Sequence, residues 1–109
     1  MSLIENIEKM LAAGQDNAML RYSLGNEYLK AGDARRAAEH LRRALEQDPN
    51  YSAAWKSYGK ALAEAARTDE AIRAYEKGIE VAERRGDKQA AKEMGVFRKR
   101  LLKQHSQQN

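Results

Sequence analysis

Shifted by 34 residues, the chain matches itself. Gly25 falls on Gly59, Ala37 on Ala71, Leu41 on Tyr75, Leu45 on Ile79 and Asp16 on Asn50. The match runs backwards as well, since Ile7 lies 34 residues before Leu41 and Leu11 lies 34 before Leu45. A unit of this size does not bury its own apolar face, so such units stack on one another and share a continuous core. The 109 residues hold two whole units and a half-unit at each end.

Each whole unit reads as a pair of helices. The first pair spans about 17–31 and 34–47, with Asp16 as the expected N-cap, Gly32 suited to a left-handed C-terminal position and Asp48 before Pro49 biased away from helix. The second pair spans about 51–65 and 69–84, with Asn50 as the expected cap and the turn at Arg67 and Thr68. A first helix is expected at about 3–13. After "RRGD", Asp87 is expected to cap a last helix of about 17 residues. The expected fold is all-α: six helices joined by short turns, stacked as antiparallel pairs in an α-solenoid. One domain covers 1–109, divided as 1–15 (half-unit), 17–50 (first repeat), 51–85 (second repeat), 87–104 (capping helix) and 105–109 (a disordered polar tail).

Gly25 and Gly59 sit inside helices, where glycine costs about 1 kcal/mol relative to alanine. Both recur in the first helix of a pair and are matched by Ala37 and Ala71 in the second, with Ala44 and Gly78 as a further small pair. Small side chains let helix backbones approach, and the added dispersion contact outweighs the propensity cost.

Composition removes several function classes. There is no cysteine, hence no disulfide, thiol nucleophile or thiolate metal site. His40 and His105 are the only histidines; His40 is expected to be solvated among Arg36, Glu39 and Arg43. No metal-ligand cluster, Gly-rich phosphate loop or catalytic constellation is present, so neither an enzyme nor a cofactor is expected. Glu5 and Glu8 interrupt the N-terminal apolar stretch and exclude a signal-peptide core, and no run approaches the ~20 apolar residues of a membrane span. A cytoplasmic protein is expected. The net charge of +4 is uneven: residues 84–109 hold eight Lys/Arg against two Asp/Glu, while residues 1–83 hold twelve against fourteen.

The motif residues resemble the tetratricopeptide repeat, whose pattern is W-x2-L-G-x2-Y, then A-x3-F, then P, over 34 residues. The first unit carries Leu24-Gly25-x2-Tyr28, Ala37-x3-Leu41 and Pro49; the second carries Trp55-x2-Tyr58-Gly59-x2-Leu62 and Ala71-x3-Tyr75. Arg21 replaces the tryptophan in the first unit, with Leu20 expected to fill its space, and Glu83 stands where a second proline would fall. One inserted residue in "RRGD" would align Phe97 with Tyr28 and Leu62. Residues 87–104 then form a cap that seals the stack with Ala91, Met94, Phe97 and Leu101. The resemblance is to a small bacterial-type two-repeat domain with flanking capping helices.

The resemblance implies a concave face lined by the first helix of each pair and used to bind a peptide. The positions it assigns to that face are Met19, Tyr22, Asn26, Lys30, Lys56, Lys60, Lys88 and Lys92. One subfamily clamps a C-terminal carboxylate with Lys and Asn in the first inner helix, Asn in the second, and a Lys–Lys/Arg pair in the third. Here Asn26 fits, Tyr22 replaces the lysine, Ser57 replaces the second Asn, and Lys88 and Lys92 occupy the third-helix places. The expected function is a non-enzymatic protein–protein interaction scaffold for a protein or peptide, with an acidic segment favoured by the lysines. The expected state is a monomer. Two alternatives are a nucleic-acid-associated protein using the basic C-terminal helix and a self-associating module using an unsealed repeat edge.

Overall fold

The computed structural model describes residues 2–108. Six helices follow in order: α1 (Leu3–Ala12), α2 (Ala18–Lys30), α3 (Ala34–Gln47), α4 (Ser52–Glu64), α5 (Thr68–Arg84) and α6 (Lys88–Gln108). α2 pairs with α3 and α4 with α5, while α1 and α6 flank the two pairs. The molecule measures 44 × 31 × 19 Å. Its thinnest dimension is about two helix diameters, as two layers of stacked helices require.

The helix starts follow local chemistry. Ser2, Asn17, Asp33 and Asp87 each accept a hydrogen bond from the N–H three residues on (Glu5, Leu20, Arg36 and Ala90), which satisfies an otherwise unpaired donor. α4 and α5 start without a side-chain cap. Asp16 and Asn50, expected as caps, instead tie neighbouring elements together. Asp16 accepts from Arg21 at 2.7 Å and from Gln47 at 2.9 Å. Asn50 accepts from Arg85 through its backbone carbonyl at 2.7 Å and from Arg84 through its side chain at 3.3 Å. Their 34-residue match therefore marks a shared junction between stacked pairs. The turn inside each pair closes on a left-handed residue, Gly32 (φ 81°) in the first and Ala66 (φ 63°) in the second. In each turn, the N–H two positions beyond the helix cap region bonds back to the carbonyl five residues earlier: Asp33 to Tyr28 and Arg67 to Leu62, both at 2.9 Å.

The core is built from large and very small side chains in alternation. Leu24, Leu41, Leu62, Val81 and Met94 are sealed from solvent, as are Ala37, Ala44, Ala54, Ala61 and Ala71. The two helix glycines are explained by one contact each. A Cβ on Gly25 would lie 2.5 Å from Leu41 Cγ, and a Cβ on Gly59 would lie 2.4 Å from Tyr75 Cε1. The close partner is thus the large residue one turn beyond Ala37 or Ala71. Gly78 is equally tight, between Trp55 Cβ and Met94 Sδ.

Arg21, at the place of the missing tryptophan, bonds Asp16 and lies 3.0 Å from His40 Nδ1, and Leu20 packs against the core. Three further expectations change. His40 is packed rather than solvated, with its ring stacked on Tyr28 at 5.5 Å. Burial, then the Arg21 charge, pushes its pKa below the ordinary value. The tail expected to be disordered from 105 is helical through Gln108, with His105 Nε2 at 3.3 Å from Asp69 Oδ1 on α5; Asn109 lies outside the described residues. The insertion before α6 is two residues, not one. Asp87 caps α6 as Asn17 caps α2 and stands where Tyr51 precedes α4, so Phe97 aligns with Ala61 and Lys92 with Lys56 and Tyr22.

Candidate functional site

A groove of about 750 Å³ is lined mainly by α2 and α4, with Leu3 of α1 at one edge, Tyr75 of α5 in the floor and Phe97 from α6. Its size falls within the range of small-ligand and peptide clefts. Five of the eight expected residues meet in it: Tyr22, Asn26, Lys30, Lys56 and Lys60. Met19, 67% exposed, lies outside the lining, as do the exposed Lys88 and Lys92.

The groove is aromatic at both sides. Tyr22 rests on Tyr51 with ring centroids 4.8 Å apart. Tyr75 meets Phe97 at 5.7 Å, and the Arg100 guanidinium lies 5.9 Å from the Phe97 ring centre. Tyr75 is 3% exposed, and its hydroxyl has no partner among the described residues. The molecule has no buried, unsatisfied side-chain polar atom among those residues, so that hydroxyl touches solvent at the groove floor. Burial, and then the charge of Glu64, pushes its pKa up to about 12, so it is a neutral donor at any physiological pH.

The lysines differ in what they offer. Lys30 Nζ lies 3.1 Å from Glu27, and Lys56 Nζ lies 3.5 Å from Glu93. Both pairs are solvent-exposed on at least one side, where ion pairs are worth under about 1 kcal/mol. Lys60 is exposed and has no ion-pair partner among the described residues. The groove therefore holds one uncompensated cation, a second that is weakly held, and amide and hydroxyl groups from Asn26, Ser23 and Ser57.

Tyr75 and Phe97 are the site residues that motif reasoning passes over. Both are larger than their repeat mates: Tyr75 matches Leu41, and Phe97 matches Ala61 in the register of the structure. Excess size at a repeated core position is the signal that a side chain reaches beyond the core.

Residues 22–90 match the family model described as tetratricopeptide repeat. The chain belongs to the tetratricopeptide repeat (TPR) family. A TPR repeat-containing protein of Pseudomonas aeruginosa is 58% identical over 99 residues, covering 91% of this chain and 94% of that protein. The solution structure of a Bordetella parapertussis protein is 42% identical with a TM-score of 0.83, over 95% of this chain and 90% of that one. YrrB, a TPR protein of known structure, is 25% identical with a TM-score of 0.69, over 94% of this chain and 60% of YrrB. The TPR fold is a general protein–protein interaction module, and TPR domains are generally non-enzymatic. No described helix of this TPR domain is long and apolar enough to cross a membrane.

Proposed function

We propose that this TPR domain is a non-enzymatic adaptor that binds an extended or helical segment of a partner protein in the groove between α2, α4 and α6. The observation that carries the reading is the convergence of Tyr22, Asn26, Lys56, Lys60, Tyr75 and Phe97 on one open groove. Aromatic surfaces supply contact area at low entropic cost, and the polar groups fix register. The structural neighbour YrrB is described as having an unusual peptide-binding site; that likeness adds support to the mode of binding.

The preferred segment carries a carboxylate, from an acidic side chain or a chain end. Lys60 stands free to meet it, and Lys56 can exchange Glu93 for the ligand. Lys88 and Lys92 play no part in this reading, since they lie off the groove. The proposed setting is the cytoplasm. The test is capture of the partner from native extract, followed by calorimetry with Lys56→Glu/Lys60→Glu. Affinity is expected to fall at least tenfold with the helical circular dichroism unchanged. Tyr75→Phe is expected to weaken binding while leaving the melt in place. Unchanged affinity in the double variant would refute a carboxylate in the groove.

A further inference from the structure

The last helix carries a third copy of the helix glycine, and nothing sits on it. Counted from the residue before each inner helix, Gly25 is eight after Asn17, Gly59 is eight after Tyr51, and Gly95 is eight after Asp87. Leu41 from α3 occupies the space over Gly25, and Tyr75 from α5 occupies the space over Gly59. A Cβ at Gly95 would meet nothing within 4 Å. Leu102, on the same side of α6, is 38% exposed. α6 is therefore an inner helix whose pairing face is uncovered among the described residues.

α1 is the complementary half. Ile7 stands 34 residues before Leu41, at the position that fills the glycine in each complete pair, and is itself buried in the chain's own core. Leu3 and Met10 stand 34 before Ala37 and Ala44, which are fully buried, yet Leu3 is 54% and Met10 38% exposed. The sizes also match. In the second pair the large Trp55 abuts the small Gly78. On the two open faces the same positions are the small Ala91, four residues after Asp87, and the large Met10, 68 residues before Gly78. Charges complement too: α6 carries Lys88, Lys92, Arg98, Lys99, Arg100 and Lys103 against Glu93, whereas α1 carries Glu5 and Glu8 against Lys9.

We propose that copies of this chain stack end to end, with α1 of one copy seated on α6 of another through the exposed Leu3 and Met10, so that the two half-units complete a helix pair over Gly95. The contact joins two different surfaces, so it is heterologous and leaves a free end of each kind on every assembly. Leu3 borders the groove, but Gly95 and Met10, the two positions tested, lie outside its lining, so their variants test this inference independently of the peptide reading.

Sedimentation velocity of the 109-residue chain, from micromolar into millimolar concentration, tests it. The mean mass is expected to rise steadily above the 12.3 kDa of one chain. Gly95→Leu obstructs only the α6 face and Met10→Glu only the α1 face. Both positions are open in the single chain, so both variants are expected to keep the parent's circular dichroism. Each alone should remain monomeric, and an equimolar mixture should form a one-to-one dimer through the two intact faces. A parent that stays monomeric throughout overturns the proposal. So does either variant associating as the parent does, or a mixture that stays monomeric.

Discussion

Alanine at position 59 puts the helix-glycine account to its sharpest test. Its Cβ would lie 2.4 Å from Tyr75 Cε1 and 2.6 Å from Cζ, where ordinary contact begins near 3.4 Å. The ring would have to retreat by about 1 Å. It is 3% exposed and backed by Phe97 at 5.7 Å, so the strain passes into the α5–α6 packing. Overpacking of this kind costs about 1–3 kcal/mol, set against a gain of about 1 kcal/mol from the better helix former. At Gly95 only the gain operates, because a Cβ there meets nothing. Gly59→Ala and Gly95→Ala should therefore differ by about 1–3 kcal/mol, in favour of the latter. At roughly 5 °C per kcal/mol for a domain of this size, that is about 5–15 °C in Tm. The assay is thermal and urea denaturation of parent and both variants at low micromolar concentration, followed by far-ultraviolet circular dichroism. Coincident melts for the two variants would refute the claim that Tyr75 is why position 59 is glycine.

Three further outcomes follow from the same structure. Ala66 holds a φ of 63° where its repeat mate is Gly32, so Ala66→Gly should stabilise the fold by about 1 kcal/mol in urea denaturation; a lower midpoint would contradict the turn geometry. His40 should titrate below about 6.5 by proton NMR, because burial and Arg21 both disfavour its cation. Since the unfolded chain then binds the extra proton first, this histidine's contribution to stability is complete above about pH 6.5 and declines as the pH falls towards its folded value; a His40 pKa at or above 6.5 would contradict the packing. A chain truncated after Arg85 loses Ala90, Met94 and Phe97 from the cluster around Tyr75 and Ala82, and should aggregate or melt less cooperatively; a soluble truncation as stable as the parent would show that α6 is no part of the core.

The features legible in the sequence are those the repeat writes twice. The 34-residue match places all six helices to within a residue or two, apart from the end of α6, and it identifies Gly25 and Gly59 as packing positions before any contact is known. The reading falls short elsewhere. Asp16 and Asn50 look like N-caps because both residue types favour caps, but each sits one residue early and bonds across the junction between pairs. α6 departs from the period by two residues, so Gly95 goes unnoticed as the third copy of the glycine, and Lys92 falls in register with Tyr22 and Lys56 although neither it nor Lys88 is among the groove-lining residues. His40 is polar and flanked by charge in sequence, and only the fold brings Tyr28 and Arg21 onto its ring. The groove shows the same division: Tyr22, Asn26 and the lysines come from helical spacing, whereas Tyr75 belongs to an outer helix and reaches the floor only because its ring is longer than the leucine it replaces.

The most direct test of the groove itself is amide chemical-shift mapping of the isotope-labelled chain, titrated with the segment of the captured partner that suffices for binding. The account predicts shifts clustered at Tyr22, Asn26, Ser57, Lys60, Tyr75 and Phe97, with Arg42 and Glu46 on α3 and Lys99 and Lys103 on α6 unmoved. Shifts clustered on those outer positions, with the groove amides unchanged, would contradict it.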